Sequence, residues 1–203
     1  MLDALLDGRD HTLSGLAGVA GVAISTAAEH LQRLERGGII VSERAGRRRL
    51  VRLSGPDVAA ALEALTKLSP DGQVNGLKAW NRREELRAAR TCYDHLAGRL
   101  GVAIADAALA AGAVSGDFAL GPRAGEWLEG FGIELDAIPR MRRPLLRVCT
   151  DWTERREHFA GTLGAALCSA VLDARWAVRR PASRALLVTP LGESSLRELG
   201  VAL

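Results

Sequence analysis

Apolar residues recur at helical spacing at Ile24, Ala27, Ala28, Leu31 and Leu34, which predicts an amphipathic helix with Ser25, Thr26, Glu29, His30 and Arg33 facing solvent. Gly37 and Gly38 end it, because glycine readily takes the left-handed conformation common past a helix C-terminus. Two strand-like segments follow at 39–43 and 49–53, joined by a turn at Ala45 and Gly46. A shorter helix precedes at 14–22, and an apolar helical remnant at 2–6 ends on Asp7 and Gly8. Helix, helix and hairpin in that order predict a helix-turn-helix with a wing.

Past the wing, Ser54, Gly55, Pro56 and Asp57 signal a turn and a helix start, and Val58, Leu62, Leu65 and Leu68 form the stripe of the helix that follows. The run S-P-D-G-Q-V-N-G at 69–76 is the best linker in the chain and marks a domain boundary there. From Glu84 onward, Leu86, Ala89, Tyr93, Leu96, Leu100, Ala103 and Ala107 are spaced by threes and fours, which predicts one long helix with a heptad-like seam. An internal repeat is superimposed on it. The fifteen residues from His95 align without gaps to the fifteen from His158, with eight identities, and the likeness continues through 118–133 and 186–201. Each unit reads as a helix, a short strand or hairpin, and a helix opening at Pro122 or Pro190. The expected fold is mainly α with small β-hairpins, an α+β protein: a winged helix-turn-helix over 1–69, then an α-rich repeat domain over 77–203 with units of about 92–133 and 149–203, serving dimerisation, effector sensing or both. Gly98, Gly101, Gly161 and Gly164 recur in both copies although each costs a helix about 1 kcal/mol relative to alanine, so a helix or a ligand is expected to approach closely there.

Charge adds a partner. Between Arg33 and Arg52 the chain holds seven arginines and two acids, a local charge of +5 in a protein of net +3. Arginine concentrated on a wing beside an exposed polar helix suits double-stranded DNA, with side chains on phosphates and a helix in the major groove. The same residues on a solvated hairpin would suit a protein-interaction module without DNA.

The run from Gly18 to Leu53 resembles the winged helix of ArsR/SmtB-type bacterial transcriptional regulators, over about the first third of the chain. The resemblance implies that Ser25, Thr26, Glu29, His30 and Arg33 read DNA, that Arg47, Arg48 and Arg49 hold its backbone from the wing, where the charge at the hairpin tip adds Arg44, and that the protein is a homodimeric repressor released by an effector. Three features depart from the family. Ala23 stands where a capping serine is usual, no cysteine pair occupies residues 13–22 as in the metal-sensing branch, and the sequence opens at Met1 without the further upstream helix that helps those proteins to dimerise, so that either its start is short or the dimer is expected to be made elsewhere.

At 203 residues and 48% hydrophobic content the chain can bury a real core, and its longest apolar run, 100–116, is interrupted by Asp106 and glycines, so a cytoplasmic protein without membrane contact is expected. Cys92, Cys149 and Cys168, odd in number and widely spaced, argue against a disulfide framework. Cys92 and His95 on one helical face, with Cys149 and His158 from the second copy, form a candidate soft metal site. Together with Tyr93 and Trp152 they also form a candidate site for a small-molecule or thiol-reactive effector. Packing roles for all of them stay open, and a third alternative makes the repeat domain a dimerisation scaffold only. The unequal Cys-to-His spacings, three and nine residues, speak against two-fold ligand symmetry. Residues 138–147 with Arg155 and Arg156 form a second basic region, which reads as a solvated connector or a contact to flanking phosphates. No phosphate loop, nucleophile elbow or hydrolase-like spacing occurs, so neither catalysis nor a required cofactor is expected.

Overall fold

In the computed structural model, which describes residues 1–46, 48–68, 76–139, 143–181 and 183–203, the N-terminal third is a helical cluster on a small sheet. The helices are α1 (Leu2–Leu5), α2 (Leu13–Ala20) and α3 (Ile24–Arg36); β1 (His11–Thr12), β2 (Ile40–Ala45) and β3 (Arg48–Leu53) pair antiparallel in the order β1-β3-β2. β1 is too short to carry a period and was not legible. Leu5, Leu16, Leu31, Ile40, Val51 and Leu53 make the core. The α3 stripe is narrower than its spacing suggests: Ala27 and Leu31 are buried and Leu34 half-buried, whereas Ala28 is exposed and Ile24 is 57% exposed.

Ala23 sits at the α3 N-cap with extended backbone (φ −62°, ψ 150°) and no side-chain cap. Backbone amides of the first turn therefore lack the partner that a serine oxygen supplies. Ala23→Ser is expected to stabilise the protein by about 1 kcal/mol, read as a higher midpoint in thermal unfolding; an unchanged or lower midpoint would show that those amides already have partners.

Asp7 caps the other end of this unit. Buried at 2% exposure, it accepts hydrogen bonds from the Arg9 backbone N–H at 2.9 Å, from Arg9 Nε at 2.8 Å and from His11 Nε2 at 2.9 Å. Burial alone would raise its carboxyl, but the bonds from His11 and Arg9 outweigh it and hold the group below its ordinary value. A depressed aspartate stabilises the fold above its unfolded value of about 3.9 and loses that contribution as pH falls through its folded value. Asp7→Asn should therefore lower stability at neutral pH and flatten the loss between about pH 4 and the acid end; a parallel loss at every pH in urea melts would contradict this.

α4 (Pro56–Leu68) buries Ala59 and, unexpectedly, Glu63, while Leu65 of the expected stripe is exposed. The Leu68 side chain and the proposed linker at 69–75 lie outside the described residues. α5 (Leu77–Ala88) corrects the long-helix expectation. At Ala89 the backbone turns extended (φ −158°, ψ 136°), and the chain forms β4 (Arg90–Cys92) and β5 (His95–Ala97) before α6 (Gly98–Ala110). The cause is tertiary: Leu186 N–H donates to Ala89 C=O at 2.8 Å and Thr91 N–H to Arg184 C=O at 2.9 Å, drawing 89–91 onto a distant extended segment. Residues at heptad spacing thus belong to two helices and a hairpin.

The chain continues through α7 (Ala124–Glu129), a 3₁₀ turn (Leu135–Ala137), β6 (Arg147–Thr150), β7 (Glu157–Ala160), α8 (Gly161–Asp173), β8 (Ala177–Arg179), β9 (Leu186–Val188) and α9 (Pro190–Glu198). Hairpin, thirteen-residue helix, second strand pairing and final helix occur twice in this order, the pairing being a single bridge, Val114 to Leu120, before α7 and the β8-β9 hairpin before α9. α9 opens at Pro190, capped by the Thr189 side chain, whereas α7 opens two residues after Pro122. Leu100, Ile104, Leu163, Leu167 and Val171 of α6 and α8 form the main core with Leu128 and Leu196. Phe131 packs between Trp127 and Trp176, with ring centroids at 4.8 and 5.7 Å. Trp80 is exposed.

Several links join the N-terminal unit to the rest, among them an exposed pair between Arg147 and Asp57 of α4. Arg184, buried at 3%, bridges Glu63 of α4 at 2.6 Å and Asp3 of α1 at 2.9 Å. At the tip of the β4-β5 hairpin, Tyr93 N–H donates to Leu6 C=O at 2.6 Å, and the Tyr93 side chain packs on the N-terminal core.

Candidate functional site

Two constellations carry chemistry. On the first, the α3 face bearing Ser25, Thr26, Glu29, His30 and Arg33 is exposed along its whole length, with Ala27 and Leu31 anchoring the opposite side. Arg44 and Arg49 face each other across the β2-β3 register and Ala45 faces Arg48. Like charges placed opposite each other destabilise a hairpin, a cost that makes sense where an anion is to be received. Arg49 is partly relieved, donating to Glu35 of α3 and, at 2.7 Å, to Ser42. That triad fixes the wing against the exposed helix; the Ser42 and Arg49 bonds hold the Glu35 carboxyl below its ordinary value. Among the described residues, Arg44 and Arg48 make no ion pair. Arg47 lies outside the described residues. A surface depression of about 570 Å³ between wing and helix start is lined by Thr12, Ser14, Ile24, Arg48 and Arg49.

The second constellation lies where the two hairpins meet. β4 pairs with β5 so that Cys92 faces His95, and β6 pairs with β7 so that Cys149 faces His158. The strands, not one helical face, bring each Cys to its His. Unequal spacings in sequence reflect only the loops, a two-residue turn at Tyr93 and Asp94 against a longer one at 151–156, and the expectation that they break the symmetry is corrected by the register. Ligand-type atoms of all four side chains lie within 4.8 Å of one another. The Cys92 and Cys149 sulfurs stand 4.0 Å apart and the two imidazole centroids 5.1 Å.

Repeated glycines explain how the units close so tightly. A Cβ on Gly101 would collide with the Leu96 carbonyl and meet His158 Cβ at 3.5 Å; one on Gly164 would lie 2.5 Å from the Phe159 carbonyl oxygen and 3.2 Å from His95 Cβ. Each helix thus seats itself against the other unit's histidine.

Around the quartet the acids are also paired across the units. Asp94 binds His95 Nδ1 at 3.2 Å and takes a two-pronged contact from Arg143, just upstream of β6. Although burial opposes it, the bonds from His95 and Arg143 hold the Asp94 carboxyl down to about 2. Asp151 lies 3.6 Å from His158 Nδ1 and accepts from Arg90 Nη2 at 2.9 Å, from Gly98 N–H at 2.7 Å and from the Thr153 and Glu154 amides. Its carboxyl is held well below the usual range against burial, chiefly by the Arg90 charge. The Cys149 thiol is driven far down by the hydrogen bond from Cys92, with the His158 and His95 rings adding to it. The Cys92 thiol rises in compensation, through that same bond and its burial.

Of the remaining residues, Tyr93 stays beside this cluster, whereas Trp152 and Cys168 turn elsewhere. Tyr93 lines a pocket of about 50 Å³ with Cys92, His95 and Cys149, whose far wall is Pro56, Ala59 and Ala60 of α4. Trp152 is not among its walls; its ring lies beneath the buried Arg90 guanidinium, 5.0 Å away. Cys168 is in the core, where burial pushes its thiol up to about 12. In the second basic region Arg143, Arg147 and Arg156 pair with Asp94, Asp57 and Asp106, and Arg140 and Arg142 lie outside the described residues. Sequence reasoning missed Arg90, Glu63 and Arg184, because a buried ion pair between distant segments leaves no local pattern, and it read Arg143 only as part of a basic connector, not as the partner of Asp94. Among the described residues no helix is long and apolar enough to cross a membrane.

No family model and no solved structure matches the chain. A curated protein does: the chain is 37% identical over 196 residues, 95% of its own length and 87% of the relative's, to the uncharacterized HTH-type transcriptional regulator YdfF of Bacillus subtilis (strain 168). The match runs through both the exposed-helix unit and the hairpin pair, and on that extent the chain belongs to the HTH-type transcriptional regulators.

Proposed function

We propose that this protein is a sequence-specific DNA-binding repressor of the ArsR/SmtB type, working as a homodimer in the cytoplasm, without enzymatic activity, whose C-terminal region, a duplicated unit, takes up an effector. One observation carries the reading: α3 exposes a continuous row of hydrogen-bonding side chains beside a wing whose arginines stand opposite one another without full compensation. Ser25, Thr26, Glu29, His30 and Arg33 reach base edges in the major groove, and Arg44, Arg47, Arg48 and Arg49 neutralise phosphates. Exposed Ile24, at the start of α3, suits contact with a thymine methyl group. Coupling to the C-terminal region runs through α4, which contributes Glu63 to the buried Arg184 link and Ala59 and Ala60 to the pocket beside Cys92 and Cys149.

Fluorescence anisotropy against DNA from the region upstream of its own gene and a scrambled control, over a salt series, tests the reading. Preference for the native sequence with a steep loss of affinity in salt is the expected result. Equal, weak binding to both, or binding insensitive to salt, would redirect the winged unit to a protein partner.

A further inference from the structure

We infer that Cys92, His95, Cys149 and His158 form a four-ligand site for a thiophilic divalent cation of the zinc class, which clamps the two hairpins together. The ligand set is a Cys2His2 set, two thiolates and two imidazoles, whose summed charge cancels that of a divalent ion. The spacing fits as well. A tetrahedral zinc with sulfurs at about 2.3 Å sets them about 3.8 Å from each other, and the two sulfurs here are 4.0 Å apart.

Independent support comes from the imidazoles. His95 and His158 are 6% and 1% exposed, yet His95 Nε2 and both nitrogens of His158 have no hydrogen-bond partner. Leaving buried polar nitrogens unpaired costs about 1–3 kcal/mol each, a cost that metal coordination removes for one nitrogen of each ring. Ligating histidines ordinarily turn their second nitrogen to a carboxylate. His95 does so to Asp94 at 3.2 Å, and His158 Nδ1 has Asp151 at 3.6 Å. Each carboxylate is in turn held by an arginine of the opposite unit, Arg143 for Asp94 and Arg90 for Asp151. Each ligand pair thus has its carboxylate tied to the opposite hairpin, although from non-equivalent positions, Arg90 lying within β4 and Arg143 just before β6. Half-buried Cys149 and the small pocket beside it provide the way in. With four protein ligands, a tetrahedral ion has no position left for substrate, as in structural zinc sites.

The test is cobalt titration of the full-length, reduced, chelator-stripped protein without DNA, followed by absorption. One cobalt per chain is expected to produce the visible bands of a tetrahedral ion with thiolate charge transfer, and zinc to displace it. Cys149→Ser and His158→Gln should abolish this spectrum. Asp94→Asn, which leaves all four ligands in place and weakens the contacts behind them to His95 and Arg143, should keep the spectrum but bind about 10- to 100-fold more weakly. Wild-type protein that takes up no cobalt, or takes it up with an octahedral spectrum, overturns the site. So does an undiminished spectrum in Cys149→Ser. Far-ultraviolet dichroism checks the variants' folding, and the wild-type result decides by itself if one fails to fold. Because no DNA is present, failure of the metal site leaves the DNA-binding reading untouched, and the converse holds.

Discussion

Replacing Glu63 by leucine is expected to destabilise the protein by about 3 kcal/mol, because it strands a buried cation. Arg184 is 3% exposed and Glu63 1%, with 2.6 Å between their charged atoms. Asp3, half-exposed, stays beside the guanidinium at 2.9 Å and keeps the loss at the lower end of what such deletions cost. The double variant Glu63→Leu with Arg184→Met should recover most of the stability, since an apolar pair of similar volume avoids both desolvation penalties. Urea unfolding of the single and double variants reads this directly. If the double variant is as unstable as the single, the Arg184 bonds to Asp3 and to the Thr91 carbonyl outweigh the pair itself. The same substitution loosens α4 from the C-terminal region, so under the effector control proposed above Glu63→Leu is also the variant in which that response should fade while DNA affinity persists.

The second large effect concerns the wing. Arg44→Ala combined with Arg48→Ala should lower DNA affinity about a hundredfold at low salt and reduce the slope of log affinity against log salt by about 2, one for each phosphate that is no longer neutralised. The loss should be alike for native and scrambled sequence. Arg33→Ala, on the exposed face of α3, should cost about 1–3 kcal/mol on the native sequence and much less on the control. Arg49 is predicted to behave differently from its neighbours. Its bonds to Glu35 and Ser42 hold the hairpin to α3, so Arg49→Ala should lower the thermal midpoint as well as the affinity. A wing double variant with an unchanged salt slope would place the phosphate-binding groups elsewhere.

Much of the N-terminal unit was legible because its signals are local. A run of 13 helical residues with Ala27 and Leu31 at i and i+4, a glycine stop, and a hairpin with arginine at its tip need no distant partner to be recognised. Even there the apolar stripe was expected too wide: α3 is buried along a narrow edge at Ala27 and Leu31, and Ile24 and Ala28 stay in solvent. The α4 stripe misled for a related reason, since hydrophobicity counts Leu65 as core and cannot anticipate that Glu63 is buried by an arginine 121 residues away.

In the C-terminal half, the residues of the cluster were visible but their geometry was not. The repeat pointed to Cys92, His95, Cys149 and His158, yet counting along the chain set three against nine residues and suggested asymmetry. By itself the sequence determined composition, the short-range periods, the glycine pairs and the concentration of arginine on the wing. Only the tertiary structure decided that the seam after Glu84 breaks at Ala89, that each Cys meets its His across a strand pair, and that each aspartate is held by the other unit's arginine. The Cys–His strand pairs close over short turns, but the break at Ala89 and the aspartate–arginine ties rest on backbone hydrogen bonds and ion pairs between segments tens of residues apart. Local propensity encodes neither, because the energy that selects them exists only once both partners are buried together.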